Sequence, residues 1–263
     1  MKKDFIDSTS ELINTASETV HKSIPETIKQ TDGVLSTVVG FFNNVVLYPI
    51  KKANISFKYK LESFEQDMKK KIEKIPVENL QEPPTMLAGP LLEALKYTYD
   101  VDDLRELFEN LLASAMDTSK VSSAHPSFVD AIRQMSPLDA KIMKELSRQG
   151  HLKCAEITFT ITSTHQVYVN AMPHNFIVEL LPLSDPFSIS SCLDNLNRLG
   201  LIEITPLGII NEDYEIMKKH PYVLERAELI KSFKTEFEIV LSKHAVRLTD
   251  YGKNFKKACL IDS

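Results

Sequence analysis

The stretch LDNLNRLGLIEI, Leu193 to Ile204, decides how the second half of this chain is read. Its first part continues ISSC into a helix over residues 189–200, and Gly200 supplies the stop, since glycine takes the left-handed backbone of a helix C-terminus without a Cβ clash. LIEIT follows at once as a short strand. A helix turning through one glycine into a strand sets the texture to look for on either side.

Upstream, Ser136-Pro137-Leu138-Asp139 combines three helix-start signals: a hydroxyl N-cap, proline at the first helical position and an acid just inside it. The helix LDAKIMKELSRQ that it opens is stopped by Gly150. EITFTITST and HQVYVNAM then read as two strands, rich in β-branched and aromatic residues. Downstream, residues 212–233 read as helix around His220-Pro221. EFEIVL and AVRL read as two strands joined by a Ser-Lys-His turn, and LTDYGKNFKKACL closes the chain as a helix. This order of helix, strand, helix, glycine, strand, strand, helix resembles the winged-helix superfamily over roughly residues 136–260.

The first half is helical. ISFKYKLESFEQDMKKKIEKI carries Ile55, Phe57, Leu61, Phe64, Met68 and Ile72 on one face and ends at Pro76. VENLQEPPTM, with Pro83-Pro84, reads as an extended strap, because each ring removes a donor and restrains its predecessor. GPLLEALKYTY and VDDLRELFENLLASAMD follow as helices, the second with Asp102 and Asp103 where the macrodipole favours acids. A polar loop then leads to Pro126 and the helix SFVDAIRQM.

The predicted fold is therefore mainly α with a small β component: N-terminal amphipathic and apolar helices over 1–76, a strap and helical unit over 77–135, and a winged-helix-like α+β domain over 136–263. The 25% charged and 43% apolar content of the 263 residues is that of a folded globular chain. Seven glycines leave little room for Gly-rich phosphate loops, and Cys154, Cys192 and Cys259 lack zinc-site or disulfide spacing. Early Asp4, Asp7 and Glu11 interrupt any signal-peptide core, so a cytoplasmic location is expected.

A closer resemblance lies in residues 75–146. Pro83-Pro84, Ala88-Gly89-Pro90, Leu104-Arg105-Glu106-Leu107, Asn110-Leu111-Leu112-Ala113, Ala115-Met116-Asp117, His125-Pro126-Ser127-Phe128-Val129 and Ser136-Pro137-Leu138-Asp139-Ala140 resemble the abortive-infection alpha family of bacteria. The pieces LDNLNRLGLIEI and AVRLTDYGKNFKKAC extend that resemblance to most of residues 75–260. It implies a role in bacterial defence against phage and no established reaction. Arg105, Glu109, Asp117, His125 and Pro126 become the candidate interaction residues of this region, and Arg105 and Glu109 share a helix face.

No nucleotide-loop, hydrolase or zinc-protease motif is present, so a non-enzymatic protein without cofactor or metal is expected, acting on a protein partner or on itself. A winged helix would offer Asn195, Asn197 and Arg198 to nucleic acid, with Lys243 and Arg247 near the wing. That set is sparse, because duplex affinity comes largely from Lys and Arg on phosphates.

Eight lysines against four acids fill Lys51 to Lys74, and ten acids against four basic residues fill Ile75 to Met135, within a net charge of −5. The 18 uncharged residues from Gly33 to Ile50 place Val38, Phe41, Phe42 and Val45 on one side and Asn43 and Asn44 on another. Two readings stay open: a helix packed in a bundle or oligomer, or an interfacial helix on the inner membrane with Lys51 and Lys52 toward anionic headgroups.

Overall fold

The computed structural model describes residues 56–168, 171–232 and 236–260, together with Gly33 and Ser36. The expected N-terminal helices before Ser56, apart from Gly33 and Ser36, and the interface residues Val38, Phe41, Phe42, Val45, Lys51 and Lys52 lie outside the described residues. Among the described residues no helix is long and apolar enough to cross a membrane.

The protein is mainly α with one small antiparallel sheet. Helix α1 spans Ser56–Ile72 and buries Phe64, Met68 and Ile72, the face that its spacing predicts. Each such side chain contributes roughly 1.5–3 kcal/mol by leaving water. A single 3-10 turn, Val77–Asn79, opens the strap. The strap is paired rather than loose: the Gln81 amide N donates to the Met116 carbonyl and Leu80 forms an isolated bridge with Asp117.

Helix α2 spans Thr85–Thr98, starting four residues before the expected Gly89. Pro90 lies inside this helix, where it removes the bond to the Met86 carbonyl and its ring crowds that oxygen. Helices α3 (Asp102–Ala115), α4 (Ser127–Arg133) and α5 (Pro137–Gln149) follow as expected. The start of α5 is a full capping box: Ser136 Oγ accepts from the Asp139 N–H at 3.1 Å while Asp139 Oδ2 accepts from the Ser136 N–H at 2.6 Å.

After Gly150 comes β1 (His151–Ile161), then α6 (Pro186–Arg198), β2 (Ile202–Thr205), a short α7 (Glu215–Lys218), α8 (Pro221–Lys231), β3 (Phe237–Leu248) and α9 (Asp250–Cys259). The strand order is β1-β3-β2, with β1 and β3 in register from His151 opposite Arg247 to Ile161 opposite Phe237. Gly200, at φ 72°, turns α6 into β2.

Two expectations for the β elements are corrected. EFEIVL and AVRL form one uninterrupted strand, because Ser242, Lys243 and His244 pair with Glu156, Ala155 and Cys154 of β1. Polar residues there signal a solvent-facing strand, not a turn. The described part of HQVYVNAM holds no strand: the chain reverses at His165, which has φ 57°, and among the described residues of this segment Val167 forms an isolated bridge with Thr160 of β1.

One hydrophobic core runs from Phe64 of α1 through α2 to α6 and ends in Phe255 and Cys259 of α9, crossing the expected boundaries at 76/77 and 135/136. A second cluster, including Phe159, Phe176, Tyr214 and Val223, lies between the outer part of the β1–β3 ribbon and helices α7 and α8. The Tyr214 hydroxyl donates to the His244 carbonyl at 2.6 Å and tethers this lobe to β3.

Helix α9 is placed with no slack. A Cβ on Gly252 would stand 1.9 Å from the Leu201 carbonyl oxygen, whereas Gly89 has open space around it. Gly252→Ala is expected to lower stability by about 1–3 kcal/mol or more. Gly89→Ala is expected to raise it by about 0.5–1 kcal/mol. Denaturant unfolding of the two variants measures both signs.

Candidate functional site

The family-type motifs converge on one element, α9. On α3, Asn110 Nδ2 donates to the Cys259 carbonyl at 2.9 Å and Ser114 Oγ donates to the Ala258 carbonyl at 2.9 Å. These are last-turn carbonyls of a helix that ends inside the core, and they have no partner within their own helix. From α4, Phe128 packs its ring against Tyr251 at 5.0 Å and Phe255 at 5.2 Å, and Ser127 Oγ hydrogen bonds the Tyr251 hydroxyl at 2.7 Å.

Arg105 and Glu109 do meet, but inside this frame. Glu109 is 3% exposed. Arg105 Nε stands 3.6 Å from Glu109 Oε1, beyond hydrogen-bond reach, so that oxygen is buried without a hydrogen-bond partner. Lys71 of α1 lies 3.9 Å from Oε2 and donates to Asn110 Oδ1 at 2.7 Å. Arg105 also donates to the Tyr99 carbonyl at 2.9 Å, pairs with Asp102 and lies over the Tyr99 ring. Burial pushes the Glu109 carboxyl up to about 7, with Lys71 and Arg105 pulling the other way and Asp67 adding to the rise.

Asp117 and His125 are not joined to this cluster by any hydrogen bond among the described residues. Asp117, also buried, accepts from the Ser119 N–H at 2.9 Å and its hydroxyl at 2.6 Å, an Asx turn that sets the residue bridged to the strap. His125 Nδ1 accepts from the Ser127 N–H at 3.2 Å and lies 2.6 Å from Ser127 Oγ. An imidazole nitrogen that accepts a backbone N–H acts as a cap for α4, with Pro126 between. Among the described residues no group of three His, Cys, Asp or Glu is placed to hold a metal ion.

The residues considered for nucleic acid all face partners within the protein except Asn197. Asn195 Nδ2 donates to the Gln134 carbonyl at 3.0 Å and to Asp139 Oδ2 at 3.2 Å, locking α6 onto the capping box of α5. Arg198 donates to Gln134 Oε1 and Asn195 Oδ1 at 3.1 and 2.7 Å. Arg247 pairs with Glu203 across the β2–β3 ladder, and the Lys243 ammonium lies 5.6 Å over the Tyr214 ring.

Asn197 instead lines a polar cleft of about 230 Å³ with His174, Asn175, Asp194, Thr205 and His244. Sequence reasoning missed this place because its residues come from four separate segments with no motif among them. Beside it the buried Cys154 lies 3.7 Å from Asn175 Oδ1, and its thiol is pushed up to about 12 by burial first and then by Asp194 and Glu179. A thiol held protonated in this way is a poor nucleophile.

The fold is thus that of a mainly helical protein whose small sheet is wrapped by the same core. The family model described as abortive infection alpha matches residues 56–259, and the chain belongs to that family. Comparison with curated proteins and with solved structures gives no match.

Two measurements check this frame. The folded protein binds the Glu109 proton more tightly than the unfolded chain does, because the carboxyl lies near 7 when folded against 4.5 ordinarily. Stability should therefore be fullest below about 4.5 and fall, on the order of 1–3 kcal/mol, as pH rises to about 7. Glu109→Gln should flatten that slope in denaturant titrations at pH 5 and pH 8. Asn110→Ala, which leaves the Cys259 carbonyl buried without a partner, should cost about 1–3 kcal/mol at either pH.

Proposed function

We propose that this is a non-enzymatic abortive-infection protein of phage defence that acts through protein–protein contacts. Family membership supports the defence role. The observation that carries the contact mode is the excursion between β2 and β3: Leu207 and Ile210 are 76% and 85% exposed, and Ile216 is exposed on α7 close by. Single exposed apolar residues are ordinary, but three within one short segment fit a partner surface better than a solvated loop. In this reading the N-terminal helices oligomerise or touch the inner membrane from a cytoplasmic location, and infection relieves a restraint between them and the family region. That part rests on the uncharged run and flanking lysines of the sequence.

A DNA-binding regulator is the second reading, favoured by one feature. A helix leading through Gly200 into β2, within a β1-β3-β2 sheet, is the arrangement expected of a winged helix. The internal pairing of Arg198, Arg247 and Lys243 weighs against it, since phosphate contacts need those cations free.

Leu207→Asp together with Ile210→Asp should abolish protection from phage in plating assays. Stability should change by less than about 1 kcal/mol, because both side chains are at the surface. Gel shifts with the full chain that weaken steeply with salt would move the reading to DNA. A full chain that neither self-associates nor sediments with anionic liposomes would sink the role given to the N-terminal helices.

A further inference from the structure

We propose that the cleft between α6 and the β2–β3 edge is a binding site for a guanidinium group, presented by an arginine side chain or by a free guanidino compound. The site goes beyond the protein-contact reading and does not require it. At about 230 Å³ the cleft is smaller than the roughly 300–1,000 Å³ of cofactor-sized pockets, and it suits one side chain or a small metabolite.

Its chemistry selects a donor-rich cation. Asp194 is the carboxylate of the lining, and among the described lining residues there is no Lys or Arg to pair with it. The carboxylate is held ready: Asp194 Oδ1 accepts from Asn175 Nδ2 at 3.1 Å, and Asn175 is 2% exposed with its backbone N–H donating to Ser190 Oγ at 3.1 Å. Asp194 Oδ2 carries no protein hydrogen bond among the described residues and stays available. Asn197, three residues on and therefore on the same helix face, brings a second acceptor beside it.

The remaining wall fits a planar cation on an alkyl stem. Ile204 and Pro206 add apolar surface to the lining, and Thr205 Oγ1, which donates to the Leu207 carbonyl at 3.1 Å, keeps lone pairs for a ligand. His174 lies 3.3 Å from Glu156, which brings a second carboxylate to the rim. A guanidinium is flat, weakly hydrated and permanently charged, and it meets a carboxylate with paired donors, which an ammonium does not.

The test is calorimetric titration of the full chain with agmatine and with N-acetylarginine methylamide, using N-acetylcitrulline methylamide as the uncharged isostere. Binding of either guanidinium, with citrulline at least about tenfold weaker, is expected, that being the usual worth of one charge-assisted bond. Which guanidinium binds tells a free compound from a protein-borne arginine. Asp194→Asn should weaken binding about tenfold or more, and Asn197→Asp, on the exposed face of α6, should tighten it severalfold. Equal binding of citrulline, or no heat with either guanidinium at millimolar concentration while the protein is folded, overturns the proposal. So does an Asn197→Asp variant that melts normally and binds no tighter.

Discussion

A helix that ends in the middle of a hydrophobic core needs partners for its last carbonyls, and α9 finds them on α3. Asn110 and Ser114 receive the Cys259 and Ala258 carbonyls, joining residues far apart in sequence. Without those two donors the final turn would be buried with unsatisfied oxygens, each a penalty of a few kcal/mol. The rest of the arrangement follows from that contact. With α9 fixed, Gly252 can approach Leu201, Thr249 can bond the Gly200 carbonyl, and the turn from α6 into β2 is held from behind. Phe128 closes the other side of α9.

The charged groups around Asn110 depend on the same contact. Lys71 reaches from α1 to Asn110 and Glu109, so the helix that follows the N-terminal segment is tied to the residue that caps α9. An acid as deeply buried as Glu109 is costly to ionise. Arg105 and Lys71 stand on either side of it at the interface between α1, α3 and α9. The motif residues that invite a functional reading, from Asn110 through Phe128 to Asp139, are mainly devices for holding helices together.

Much of the helical part was legible because its signals are local. Ser136, Pro137 and Asp139 announce α5, and the spacing of Phe64, Met68 and Ile72 announces the buried face of α1. What was not legible depends on partners distant in sequence. Ser242-Lys243-His244 has turn-like composition, and only the opposing strand shows that it continues a ladder. HQVYVNAM has strand-like composition, and after the reversal at His165 its described residues make a single isolated bridge. Asn195 and Arg198 look like readers of nucleic acid until Gln134 and Asp139 are found beside them. The cleft around Asp194 could not be foreseen, since proximity alone brings its residues together.

The segment between β2 and β3 leaves and re-enters the sheet on neighbouring strands, and its helices pack against the ribbon in a cluster separate from the main core. Both of its ends are pinned by ladder pairs that set the register of the ribbon, and buried Tyr214, Met217 and Val223, with the Tyr214–His244 hydrogen bond, fasten the insert to it. Such a segment is a keyed attachment on a fixed mount: its buried side fixes its seat, and the exposed positions Leu207 and Ile210 are left unconstrained by that seat.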